Sequence, residues 1–242
     1  MRTRLTRLAG ASALLALSGV LTVAASAQRW WPVCAIGDFD TGGCVGLQDH
    51  AYDYVVPSDP WVPVGAAAQL HGVAMLLLAG AVLLLPGLLS GRRLGRGFVI
   101  TTVVVSVGVA AMAVQTLLSG LAGQVVAVPG LWLPGLVWVF GWPALMVGSA
   151  ASAEDAPARV EVGRWAVVGC VLVGNPLAQV LIVPVLLAYT SHDMTPWAEA
   201  VGGVILIGAA GLVWLTAHRD SSSSQGSGDH ATPQRVHEVA TP

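Results

Sequence analysis

Residues 97–153 read GFVITTVVVSVGVAAMAVQTLLSGLAGQVVAVPGLWLPGLVWVFGWPALMVGSAASA, and no Asp, Glu, Lys or Arg occurs among them. A helix of about 20 apolar residues crosses roughly 30 Å of hydrocarbon, and this run is long enough for two. Gly123 to Gly130 interrupts it, and Pro129-Gly130 supplies turn chemistry. The reading is a tight hairpin between two spans, Phe98 to Ala122 and Leu131 to Ala151, with a re-entrant excursion as the lesser alternative.

Four further stretches of the same kind flank this one: Leu8 to Ala27, Gly65 to Leu89, Trp165 to Tyr189 and Trp197 to Ala217. The whole chain agrees with them. Of 242 residues, 55% are hydrophobic and only 10% charged, with a mean hydropathy of +0.73. A soluble domain carries about 25% charged residues, so a water-soluble globular fold is excluded. Extensive disorder is excluded as well, since it needs low hydrophobicity and high charge. The expected fold is therefore all-α: a polytopic membrane bundle of six transmembrane helices, or five if residues 1–27 are a cleaved signal peptide. That alternative rests on a basic Met1 to Arg7, an apolar Leu14 to Ala24 and the small-residue site Ala25-Ser26-Ala27.

The expected organisation is a first span or signal peptide at 1–27 and an external loop at 28–64. A five-helix membrane bundle at 65–217 and a cytoplasmic tail at 218–242 follow. The tail, with Ser221-Ser222-Ser223-Ser224, cannot bury a core and is expected to be disordered.

Orientation follows from the basic residues, all of them arginine. Arg2, Arg4 and Arg7 precede span one; Arg92, Arg93 and Arg96 lie between two and three; Arg159 and Arg164 between four and five; Arg219 and Arg235 after six. With six crossings these regions share one side, and the opposite loops hold Arg29 alone. The positive-inside rule makes that side, with both termini, cytoplasmic. Trp30, Trp31, Trp61, Trp132 and Trp197 fall at outer ends and Trp165 and Trp214 at inner ones, where amphipathic rings settle at headgroup depth. Arginine-only basic usage with abundant Ala, Gly and Val suits a bacterial plasma membrane.

In the external loop, Cys34 and Cys44 are ten residues apart in an oxidising compartment, and a disulfide staple is expected. A redox-active pair would favour C-x-x-C spacing and a relay partner, and neither is present. Cys170, inside span five, reads as a small apolar side chain. The loop is acidic, with five aspartates against Arg29. Asp38, Asp40, Asp49, His50 and Asp53 offer oxygen ligands and one imidazole for a divalent cation, although a solvated acidic loop is the leading reading of them. Asp40-Thr41-Gly42 matches an aspartic-protease triplet, but that chemistry needs two carboxylates in a sizeable β fold. His192-Asp193 lies in the other polar external turn.

Inside the spans no formal charge lies near a centre, which disfavours a charge relay. Span five carries Gly174-Asn175-Pro176 near mid-depth, with Gln179 one turn on and Pro184 beyond. Each proline leaves an upstream carbonyl without its helical donor. Helices broken at mid-depth beside amide side chains are how many transporters build a site. The structural reading is that Asn and Gln bond neighbouring helices at a kink. Gln69 and His71 of span two, Gln115 and Thr116 of span three and Glu199 of span six approach the same outer half. The candidate substrate-binding set is Asn175, Gln179, His71, Gln69, Gln115 and Glu199.

No phosphate loop, H-E-x-x-H motif or nucleophile elbow occurs, so neither catalysis nor a bound cofactor is expected. The expected partners are the lipid bilayer and a second copy or another membrane subunit, not nucleic acid. A small-solute transporter or permease subunit is the leading expectation. The alternative is a non-transporting accessory or sensor protein whose disulfide loop binds a partner or divalent cation.

Overall fold

The computed structural model describes residues 2–31, 33–90, 94–152, 158–189 and 194–225, and of 2–4, 158–160 and 216–225 only the backbone. Among these residues the chain is helical, without a strand. Five helices are long and apolar enough to cross a membrane: Leu5–Trp30, Ala67–Ser90, Arg96–Ala122, Trp132–Ala151 and Ala198–Leu215.

We label the helices α1 (Arg2–Trp30), α2 (Gly42–Leu47), α3 (Ala67–Ser90), α4 (Arg96–Ala122), α5 (Trp132–Leu136), α6 (Trp142–Ala151), α7 (Ala158–Val173), α8 (Pro176–Leu181), α9 (Val183–Leu186) and α10 (Ala198–Gln225). The charge-free run does fold as a hairpin. Helix α4 ends at Gly123, whose left-handed φ of 66° needs a residue without Cβ. Helices α5 and α6 are joined by a π turn, Val137–Gly141, into one bent rod.

Small residues set how the long helices meet. A Cβ on Gly19 of α1 would stand 2.5 Å from the Gly203 carbonyl of α10, and one on Gly203 would stand 2.7 Å from the Gly19 carbonyl. Gly72 of α3 faces Leu117 of α4, and Gly120 of α4 faces Ala68 and Gln69 of α3. Gly10 lies against Leu84, Gly80 against Leu14, and the Ser12 hydroxyl donates to the Ala210 carbonyl at 2.7 Å. These contacts make α1 antiparallel to α3 and α10, and α3 antiparallel to α4, at backbone spacings only small residues allow. The core that they form with α6 and α7 is apolar, with Leu15, Leu85, Met146, Val168, Val171 and Ala209 all buried.

The expected fifth span, Trp165 to Tyr189, is divided. Residues 165–189 form α7, α8 and α9, none of them long enough to cross alone. Asn175 precedes a proline, which disfavours helical backbone, and it stands extended at φ −75°, ψ 144°. Pro184 deprives Val180 of a donor at the α8–α9 junction. At the other terminus, α10 continues to Gln225, into the segment expected to be a disordered tail from residue 218. No helix breaker occurs between 218 and 225, and each added residue closes one more backbone hydrogen bond. Residues 226–242, Arg92, Arg93, Arg235, His192 and Asp193 lie outside the described residues.

Arg7, Arg96 and Arg164 belong to helix ends on one side of the bundle, and Arg29 to the other. On the Arg29 side the 33–64 segment packs over the helix ends. Cys34 and Cys44 stand at disulfide distance, with Cα atoms 4.9 Å apart.

Candidate functional site

The interrupted helices border a cavity. The residue that organises it is Pro143. The Trp142 N–H is diverted to the Val137 carbonyl by the π turn, and Pro143 has no N–H to offer either Trp138 or Val139. Both carbonyls are taken instead by the Asn175 side chain, whose Nδ2 donates to them at 3.4 and 3.2 Å. The Asn175 Oδ1 accepts the Leu177 N–H at 2.9 Å and so caps α8. One buried amide, expected as a substrate ligand, thus joins the two helix interruptions.

Beside that junction lies the cavity, of about 830 Å³, whose lining includes Asp53, Leu131 and Trp132. The α5–α6 rod contributes Trp132, Trp138 and Val139; α8 and its neighbours contribute Pro176, Gln179 and Pro184. Asp53, Val55 and Val56 of the outer loop, Met112 of α4, Met194, Thr195 and Glu199 complete the wall. Of the six candidate residues, Gln179 and Glu199 line it. Gln179 Nε2 donates to the Gly174 carbonyl at 3.3 Å, and its amide lies against Gly202 with no room for a Cβ there.

Glu199 is the most unusual group. It is 2% exposed; Oε2 accepts from Trp30 Nε1 at 3.3 Å and from Ser26 Oγ at 3.5 Å, while Oε1 has no hydrogen-bond partner. A buried carboxylate with an oxygen unpaired is costly unless something answers it. Its helix begins abruptly: Trp197, two residues earlier, has φ 64°, a left-handed conformation that is strained for a bulky residue. The Trp197 indole donates to the Cys34 carbonyl at 3.0 Å and packs edge-on to Trp31, 6.2 Å between centroids. The disulfide segment therefore holds the start of α10 and with it Glu199.

Behind the cavity, Tyr54 is wholly buried and edge-on to His71 at 5.6 Å. Burial pushes the Tyr54 phenol well above its ordinary value, and the Glu199 carboxylate adds to the shift. His71 is buried with neither ring nitrogen hydrogen-bonded, so it faces this aromatic layer rather than the cavity. Gln69 Nε2 bonds the Gly120 carbonyl at 2.7 Å, which ties α3 to α4. Gln115 Nε2 donates to the Pro57 carbonyl at 3.2 Å and Thr116 Oγ1 to the Val55 carbonyl at 2.9 Å. Gln115 and Thr116 thereby hold the 55–57 stretch, which contributes Val55 and Val56 to the cavity wall.

Arg29 is the residue that orientation arguments leave unexplained. It is 1% exposed, its Nε and Nη2 donate to the Leu47 carbonyl at 3.0 and 2.7 Å, and Nη2 also reaches the Asp49 carbonyl at 3.1 Å. Its guanidinium lies 4.3 Å from the Trp30 ring centre. A lone arginine on the wrong side of a positive-inside pattern is itself the signal that it is structural. Tyr54, Trp138 and Thr195 carry no such mark, because nothing local separates them from ordinary loop and helix residues.

The proposed cation ligands are scattered. Asp49 Oδ1 accepts the Ala51 N–H at 2.7 Å and lies 3.4 Å from His50 Nδ1; Asp53 Oδ1 accepts the Val55 N–H at 2.9 Å; Asp40 Oδ1 accepts from the Tyr189 hydroxyl at 3.2 Å. Asp38 joins none of these bonds. Among the described residues, no three His, Cys, Asp or Glu side chains converge as a metal site. The acidic residues instead form Asx turns and loop contacts.

No protein-family model, curated protein or solved structure matches the chain.

Proposed function

We propose that this chain is a multi-pass membrane protein acting as a small-solute transporter or permease subunit, with its outward-facing site in the 830 Å³ cavity. Six crossings are counted by taking α7, α8 and α9 together as one broken crossing. Both termini then lie on the cytoplasmic side with Arg7, Arg96 and Arg164, in a bacterial plasma membrane. Bilayer residence is supported by large apolar side chains left outward on the helices, among them Leu17, Val103, Val107, Val185, Val204 and Leu215. Retention of α1 is supported by burial of Ala25 and Ser26 against the bundle, at the site where a signal peptidase would cut.

The observation that carries the functional reading is the pair of interrupted helices meeting at a cavity that contains Gln179 and Glu199. A membrane helix tolerates broken backbone only where protein or a cavity satisfies it, and transporters place substrates at such breaks. The test is uptake into liposomes reconstituted with the protein, offered labelled tetraethylammonium, amino acids and sugars. At least one class should enter above the level of empty liposomes, and Glu199→Gln should abolish that entry. Folded, inserted protein that moves none of them would assign the chain to the accessory or sensor alternative.

A further inference from the structure

The cavity is charged in one sense only. Asp53 and Glu199 line it, and no lining residue is Arg, Lys or His. Arg29, in the same outer layer, gives Nε and Nη2 to the Leu47 and Asp49 carbonyls and has no partner at Nη1, but it does not line the cavity. One Asp53 oxygen already holds the Val55 N–H, whereas Glu199 Oε1 is buried and unpartnered. An anionic guest would meet two carboxylates and no lining base, whereas a cationic centre is attracted by both.

The remaining wall narrows the chemistry further. Buried Trp138 and Trp132, which is 70% exposed, both line it, and indole rings attract cations. Met112 and Met194 add polarizable thioethers, and Val55, Val56, Leu131 and Val180 add plain hydrocarbon. A bare metal ion would need a shell of oxygens that these side chains do not supply. A volume of about 830 Å³ suits an organic molecule.

We propose that the cavity binds a monovalent organic cation, an ammonium-type centre carrying apolar substituents. Its charge rests at Glu199 and Asp53, and its substituents rest against Trp138 and Trp132. This deepens the transport reading, since it rests on that cavity being the solute site.

The test is calorimetric titration of the full-length protein in detergent with tetraphenylphosphonium and with tetraphenylborate, ions matched in shape and opposite in charge. The phosphonium should bind saturably and the borate should not. Glu199→Gln should weaken phosphonium binding about tenfold or more, and Trp138→Leu severalfold. Asp53→Asn, which keeps the acceptor for Val55, reads the same charge if Glu199→Gln does not fold. Equal binding of the two ions, or unchanged affinity in both carboxylate variants, overturns the proposal. Phosphonium binding without uptake of any solute would remove transport and leave the cation preference standing. Uptake of a neutral solute by protein that ignores phosphonium would do the reverse.

Discussion

Helices α1, α3, α4 and α10 and the half built from α5 to α9 draw on the same apolar residue types, yet one is closed and the other open. The difference lies in which backbone-altering residue each uses, and where. In the closed half, glycines at 19, 72, 120 and 203 sit on contact faces, and removing a Cβ there lets backbones approach to packing distance. In the open half, Pro134, Pro143, Pro176 and Pro184 remove backbone donors, so rods bend or break and cannot lie flush. Prolines at the breaks open that half, whereas Pro86 lies inside α3 without interrupting it. The orphaned carbonyls then need a donor, which Asn175 supplies across the gap.

The largest effect should come from attacking the closed half. Gly19→Leu would drive a side chain into the Gly203 carbonyl and Ile207, and overpacking at such a contact costs about 3 kcal/mol. Thermal unfolding in detergent should show a marked drop in stability. Gly208→Ala on α10, where an added Cβ meets nothing within 4 Å, should cost nothing and serves as the control. Equal stability of the two variants would break the claim that contact-face glycines hold this half.

A smaller and more local loss is expected from the outer layer that roofs both halves. Cys34→Ser should release about 2–3 kcal/mol of ordering from the loop it closes. Amide exchange should quicken across residues 34–48 and at the start of α10, because Trp197 hangs on the Cys34 carbonyl. Protection in the middle of α1 and α3 should not change. Uniform acceleration would mean that the layer is part of the bundle rather than a lid on it.

The smallest effect sharpens the open half. Asn175→Leu removes two bonds to orphaned carbonyls and one helix cap, a loss of about 1–2 kcal/mol. Exchange in α8 and α9 should rise, and any solute flux should fall through displacement of Gln179, while α1 and α10 keep their protection. Unchanged exchange in α8 would show that Pro176 alone positions the break.

Part of this was legible in the chain. The charge-free run at 97–153, its turn at Pro129-Gly130 and the break at Gly174-Asn175-Pro176 are local features, and each has its counterpart in the fold. Asn175 was visible as important, but not its partner, because Pro143 lies 32 positions earlier and only the packing of α6 beside α7 joins them. Gln69, Gln115 and His71 looked equivalent to Glu199, since all are polar residues in the outer half of apolar helices. Which way each side chain turns depends on its neighbours, and three of the four turn into helix seams and loop contacts.

Composition and periodicity alone determined that the chain is helical and where its apolar stretches and prolines lie. Those are properties of a residue and its near neighbours: burial preference, missing donors, absent Cβ atoms. That the stretch from Trp165 to Tyr189 divides, leaving five long apolar helices, was decided by the structure. Only the tertiary structure decided that Glu199, Asp53 and Gln179 share one cavity while Asn175 stands beneath it. That choice rests on long-range close packing, where a few glycines set which rods touch and a few prolines set where they cannot.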